Sequence, residues 1–112
     1  MCGRYASTRA RQELIDAFGV EWDADEELEA DYNVAPTKPV PVILTREVRE
    51  LRVARWGLVP YWAKDIKVGF ANINAKAEGI EGKPAFREAF QRRRCLVPVD
   101  NFYERWRRLT ER

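Results

Sequence analysis

The sequence predicts an α+β fold, mainly antiparallel β-sheet with a few short helices, from three observations. An amphipathic helical stretch comes first, several short β-type segments follow, and one further helical pattern interrupts them. Turn residues rather than long helices separate the β-type segments, which favours antiparallel neighbours over crossover connections. At 112 residues the chain has the length of one domain, so residues 1–112 are treated as one unit.

The elements follow in order. Between Ser7 and Phe18, Ala10, Leu14, Ala17 and Phe18 share one helical face, Ser7 or Thr8 can cap the start, and Gly19 can end it. The acidic stretch from Glu21 to Asp31 reads as a loop or short helix. Pro36, Pro39 and Pro41 require the segment Tyr32–Thr37 to be extended and stiff. Val40–Leu44 and Leu51–Trp56 read as strands joined by a charged turn, Arg46–Glu50. Gly57–Trp62 is a loop carrying adjacent aromatic rings. In Gly69–Ala75, Phe70, Asn72 and Asn74 alternate with Ala71, Ile73 and Ala75, which predicts a strand with an amide-rich face. Pro84–Gln91 predicts a short helix with Ala85, Phe86, Ala89 and Phe90 inward. Cys95–Val99 and Phe102–Trp106 read as strands separated by the turn pair Asp100-Asn101. A sheet stopping there leaves an open edge, which predicts a homo-oligomer or association with a separate C-terminal segment.

Composition narrows the function classes. The chain is 46% hydrophobic and 12% aromatic, a composition that folds rather than stays disordered. Its net charge of +2 says little, but the distribution is polar. Nine acidic residues and no Lys or Arg lie between Glu13 and Asp31, whereas eight arginines face four acidic residues between Arg87 and Arg112. That asymmetry suits one face offered to a polyanion. With 2 cysteines and no histidine, neither a disulfide scaffold nor a metal site is expected, and no cofactor is implied. Cys95 reads as a buried strand residue. No signal peptide or membrane-spanning run is evident, so the expected location is the cytoplasm, nucleoid-associated in a bacterium, with no membrane partner.

The chain begins Met1-Cys2-Gly3-Arg4-Tyr5, and loss of Met1 would make Cys2 a 1,2-aminothiol. Its amine titrates at roughly pKa 7.7–8.0 and a thiol at about 8.5, so both are nucleophilic near neutrality. Such a pair takes an aldehyde to an imine and closes the thiol onto it as a thiazolidine, which no internal cysteine can do. Glu104, between Phe102 and Trp106 on a predicted strand face, is placed to lose solvation and trade protons near neutral pH. Asn74 can aim an amide at a sugar or hydroxyl, and Arg4 can hold a phosphate beside Cys2. Glu78 reads as an ion-pair partner for Lys76 or an arginine. Tyr61 and Trp62, on a loop with few apolar partners, can stack on or wedge between nucleobases, whereas Trp56 reads as buried under the sheet.

Met1-Cys2-Gly3-Arg4, Tyr32-Asn33-Val34-Ala35-Pro36, Arg55-Trp56-Gly57-Leu58-Val59-Pro60 with Trp62, Asn74-Ala75-Lys76-Ala77-Glu78, and Arg94-Cys95-Leu96-Val97-Pro98 with Phe102-Tyr103-Glu104 resemble, in that order, the SRAP family (SOS response-associated peptidase). The resemblance runs from residue 2 to about residue 106 and implies the N-terminal portion of an SRAP-like domain. It implies covalent capture of abasic sites in single-stranded DNA, with Cys2 as nucleophile, Asn74 orienting the deoxyribose and Glu104 handling protons. Arg4 and Asn33 would hold the DNA backbone and the Cys2 pocket, Trp62 would belong to a strand-separating wedge, and Lys76 would contact DNA. It also implies self-removal of Met1.

Three departures stand out. Lys76 replaces the family's usual arginine, turning a bidentate phosphate contact into a point-charge one. Asn101 replaces a glycine and Arg105 is inserted before Trp106. The family's catalytic histidine, in the second half of its domain, has no counterpart here, which implies slower capture. Two alternatives remain: an inactive fragment or non-covalent single-stranded DNA-binding module keeping the arginine-rich face, and, well below it, a glutamine amidotransferase with an N-terminal cysteine. The second needs an oxyanion-hole segment such as Asn-Gly, and no Asn-Gly pair occurs.

Overall fold

A computed structural model describes residues 2–103. Two sheets organise it. A three-stranded sheet has the order β3-β1-β7, with β1 at Tyr5–Ser7, β3 at Asp31–Val34 and β7 at Asn101–Phe102. A four-stranded sheet has the order β2-β5-β4-β6, with β2 at Trp22–Asp23, β4 at Pro39–Thr45, β5 at Arg49–Arg55 and β6 at Cys95–Leu96. Every pairing is antiparallel except β2 with β5. Two α-helices, α1 (Arg11–Phe18) and α2 (Pro84–Arg92), complete the α+β architecture predicted above.

The β4–β5 hairpin is the centre because its pleat serves two cores. Alternate side chains of a strand point to opposite faces. Val40 and Val42 therefore pack with Tyr5 and Val34 of the other sheet, with Trp56 against them, while Ile43 packs with Leu51 and with Leu14 of α1. Ile43, Leu51 and Val34 are the largest fully buried side chains. Pro39 and Pro41 fit inside β4 because β6 pairs only with Ile43 and Leu44, leaving the proline end of that flank without a ladder partner. The hairpin turns through Arg46–Val48, where the Arg46 guanidinium donates twice to Glu50, each at 2.9 Å, and holds that carboxyl below the usual carboxylate range.

Local signals placed some boundaries and misplaced others. Gly19 ends α1 in the left-handed conformation at φ 60, as expected. The start differs: Ser7 belongs to β1, and Ala10 precedes the helix without a side-chain cap. Thr8 is unavailable because its N–H and hydroxyl both donate to Asp100, at 2.6 and 2.7 Å. That clamp also overturns the expected hairpin around Asp100-Asn101. Asp100 ties the chain to β1, so β6 and β7 end up in different sheets. The acidic stretch contains the short strand β2 within a loop. Tyr32–Thr37 is extended through Val34 and then turns, with Thr37 at φ 77.

Gly69–Ala75 is not a strand. Residues Ile66–Asn72 form a 3₁₀ run, started by Asp65, whose side chain accepts from the Lys67 N–H at 2.9 Å. The amides that suggested a strand face instead bond loop carbonyls, Asn72 Nδ2 donating to Leu58 at 3.0 Å. Gly57 and Gly69 press together here. A Cβ on Gly57, which sits at φ +118, would lie 2.6 Å from the Gly69 carbonyl oxygen. Cys95, expected to be buried, is exposed on the short edge strand β6. Helix α2 carries Ala85, Phe86, Ala89 and Phe90 half-buried.

Two outcomes test this packing. Gly57→Ala forces a disfavoured backbone and a backbone clash, and chemical denaturation should show a loss of about 2–4 kcal/mol; a wild-type midpoint would contradict the close approach. The Asp100 carboxyl is held below the usual aspartate range, first by the Thr8 hydroxyl and then by the Thr8 N–H and Arg9. Its ionised form thus stabilises the fold above the unfolded pKa, and that contribution disappears as pH falls through the lower folded value. Asp100→Asn should be less stable than wild type at pH 7, with the gap closing as the solution is acidified below the usual aspartate range; an acid-independent gap would contradict the carboxylate clamp.

Candidate active site around Cys2

The chain after Cys2 is fixed on both flanks. Strand β1 pairs with β3 on one side, Tyr5 opposite Val34, and with β7 on the other, Tyr5 opposite Phe102. The Tyr103 N–H continues this by donating to the Arg4 carbonyl at 2.9 Å, and the Tyr103 hydroxyl donates to the Tyr32 carbonyl at 2.8 Å. Cys2 itself is half-buried against the Tyr5–Val34–Val40–Val42 cluster. Its carbonyl accepts from Asn74 Nδ2 at 2.7 Å, and its thiol lies 3.6 Å from the Arg4 carbonyl. The Asn74 bond spans 72 positions of sequence and pins the residue at its main chain, leaving the thiol without a competing strong partner.

Cys2 and Asn74 line an open cavity of about 720 Å³. Its walls are mostly apolar and come from β4 (Val40, Val42), from Trp56 and Leu58, and from Val97 and Phe102. Trp56, expected to be buried, is half-buried against the sheet: its ring meets Tyr5 edge-on at 5.3 Å, and its indole N–H donates to the Ile73 carbonyl at 2.8 Å. Asn74 therefore sits at the end of a segment fixed by Trp56 and Asn72 on either side of the loop. The Tyr5 hydroxyl is buried with no hydrogen-bond partner among the described residues. Burial, then the neighbouring Cys2, Asp31 and Cys95, push its pKa up to about 12, so the phenol stays neutral and is a donor rather than a base. Partial burial likewise raises the Cys95 thiol.

Arg4 reaches Asn33 across the β1–β3 pair, Nη1 donating to Oδ1 at 3.3 Å. An amide partner positions the guanidinium without neutralising it, and among the described residues no carboxylate pairs with it, which leaves a cation beside Cys2. Asn33 is itself set by Asp31, whose carboxylate accepts the Asn33 N–H at 2.9 Å and a Lys38 ion pair at 3.1 Å.

The sequence-predicted residues thus divide. Cys2 and Asn74 share the cavity, and Arg4 and Asn33 form a pair on the adjoining strands. Trp62 and Lys76 are exposed and do not line the cavity; Trp62 packs edge-on with the still more exposed Tyr61 at 5.1 Å. Glu104 lies outside the described residues. Sequence reading missed Tyr5, Phe86 and Cys95 as cavity residues. Tyr5 follows the Cys-Gly-Arg run directly, but strand alternation alone would set it on the face opposite Cys2; nothing local marks the other two.

Comparison with known proteins gives the chain its family. The family model for SOS response associated peptidase (SRAP) matches residues 1–112. The abasic site processing protein YoaM of Bacillus subtilis (strain 168) is 43% identical over 111 residues, covering 97% of this chain and 48% of its own. The mouse (Mus musculus) abasic site processing protein HMCES is 30% identical over 131 residues, covering 96% of this chain and 37% of its own. A crystal structure of a Bacteroides thetaiotaomicron protein superposes with TM-score 0.80 at 25% identity, over 98% of this chain and 51% of the other. The chain accordingly spans about half the length, or less, of these relatives. A match along the whole chain, on a fold that superposes and around a half-buried Cys2 held by Asn74, means that the chain belongs to the SRAP family.

Proposed function

We propose that this chain processes abasic sites in single-stranded DNA by capturing them on Cys2 after loss of Met1. The Asn74–Cys2 bond carries the reading, because it holds the N-terminal residue at the rim of a cavity large enough for a flipped-out sugar. The printed names of the relatives, abasic site processing proteins, support the choice of electrophile.

The chemistry follows from the aminothiol. The Cys2 amine adds to the C1′ aldehyde of the open sugar, and the carbinolamine loses water to give an imine. The thiolate then adds to the imine carbon while the nitrogen takes a proton, closing the thiazolidine with net release of one water. Holding amine and thiol on one fixed residue makes the second step intramolecular. Asn74 acts here as a positioning residue for Cys2, in addition to any contact with the sugar. Tyr5 is a neutral donor within the same wall. Arg4, oriented by its Asn33 partner, faces the phosphate next to the lesion, and Tyr61 with Trp62 offer exposed rings for stacking. Glu104 as proton carrier, Lys76 as a DNA contact and self-removal of Met1 rest on family resemblance.

Incubation with an oligonucleotide carrying one abasic site should give a covalent adduct on a denaturing gel. Its mass should be that of the Met1-free protein plus the oligonucleotide less one water. Cys2→Ala should abolish the adduct, and an undiminished adduct in that variant would contradict the assignment. Asn74→Ala should slow adduct formation about 10- to 100-fold, equivalent to roughly 1.4–2.7 kcal/mol, at unchanged affinity for intact strands. Loss of affinity without loss of rate would make Asn74 a DNA contact only.

A further inference from the structure

Among the described residues, six of the sixteen Lys and Arg are ion-paired with carboxylates, five of them arginines. Arg9 pairs with Glu13 and Asp100, Arg11 with Asp23, Arg46 with Glu50, Arg52 with Glu26 and Glu50, and Arg93 with Glu88. Three arginines without such a pair among the described residues meet in one place. Arg49, at the start of β5, and Arg92 and Arg94, at the end of α2 and just beyond it, line a cleft of about 530 Å³ together with Thr45 and Gln91. No carboxylate lines that cleft among the described residues.

Two of the three guanidinium groups are held in place by neutral partners. Arg49 Nη1 donates to the Phe18 carbonyl at 2.8 Å. Arg94 Nε donates to the Phe90 carbonyl at 2.6 Å, and its guanidinium lies 3.8 Å over the Phe90 ring. Such ties fix orientation and cancel no formal charge. A guanidinium has five N–H donors, so each keeps donors for a further acceptor. Converging cations repel one another, and an anion between them relieves that repulsion while accepting the remaining N–H groups. Guanidinium forks match phosphate and carboxylate oxygens alike, and the adjoining Cys2 cavity, read as a DNA site, favours phosphate. Cys95 lines both this cleft and the cavity holding Cys2, so the two adjoin at the β6 edge.

We infer that the Arg49–Arg92–Arg94 cleft is a second binding site, for backbone phosphates of a single-stranded nucleic acid that flank the nucleotide in the Cys2 cavity. The inference rests on reading that cavity as a DNA site and extends its footprint around the sheet edge.

Fluorescence anisotropy with an undamaged oligothymidylate, across a range of salt, tests it. Arg92→Ala should weaken binding about 3- to 10-fold at low salt and flatten the log–log salt dependence by about 0.7, one single-strand phosphate contact. Arg49→Ala should do the same, and Arg92→Lys should restore the slope. Arg87→Ala, which removes an exposed charge from α2 outside the cleft, should leave the slope in place. Wild-type slopes in both cleft variants, an equal loss in Arg87→Ala, or no salt-dependent binding by the wild type would each overturn the cleft. The probe contains no abasic site, so the result is separable from covalent capture. Binding through the cleft without any adduct on abasic DNA would sink capture alone, and an adduct with wild-type slopes in the cleft variants would sink the cleft alone.

Discussion

With Met1 removed, as the proposed capture requires, Cys2 would have polypeptide on one side only, so whatever positions it must act through its own carbonyl and the strand that follows. That constraint organises this molecule. Asn74 holds the Cys2 carbonyl at 2.7 Å, and β1 is gripped between β3 and β7. The Asn74 amide is in turn where it is because the preceding 3₁₀ run docks through Asn72 and because Trp56 bonds the Ile73 carbonyl. Trp56 leans on Tyr5, which belongs to β1. The path closes on itself: the strand that presents Cys2 also buttresses the loop that holds it.

Charge is arranged with the same economy. Four carboxylates of the acidic N-terminal half, Asp23, Asp31, Glu50 and Glu26, pair with Arg11, Lys38, Arg46 and Arg52, where they set turns and strand ends. Exposed pairs of this kind add little stability each; their effect on the surface field is larger, because they remove those cations from it. Among the described residues, three of the six arginines outside such pairs take neutral partners: Arg4 an amide, Arg49 and Arg94 backbone carbonyls. A net charge of +2 therefore understates how positive the surface is locally, near Cys2 and around the β6 edge.

Legibility from sequence followed the range of the interaction. The β4–β5 hairpin was readable because period-two burial and a charged turn are local signals, and Gly19 announced the end of α1 in the same way. The Ile66–Asn72 segment was not, because its alternating amides satisfy a strand pattern while their partners lie 14 and 72 residues away. The Asp100 clamp on Thr8 failed for the same reason: an Asp-Asn pair reads locally as a turn, and only the tertiary partner 92 residues earlier shows otherwise. At the site, Cys2 was legible through chemistry that no internal cysteine shares, and Asn74, Arg4 and Asn33 through motif resemblance. Asn74's bond to the Cys2 carbonyl, the Tyr5 hydroxyl in the wall and the arginine cleft needed the fold.

The central claim is that amine and thiol of one fixed residue act together. Peptide mapping of the crosslinked product, alkylated before digestion, tests it most directly. The account predicts that the sugar remnant sits on a peptide beginning at Cys2, with both its nitrogen and its sulfur blocked, while Cys95 remains open to alkylation. A remnant on Cys95 or on a lysine, or a Cys2 thiol that still alkylates, would contradict it.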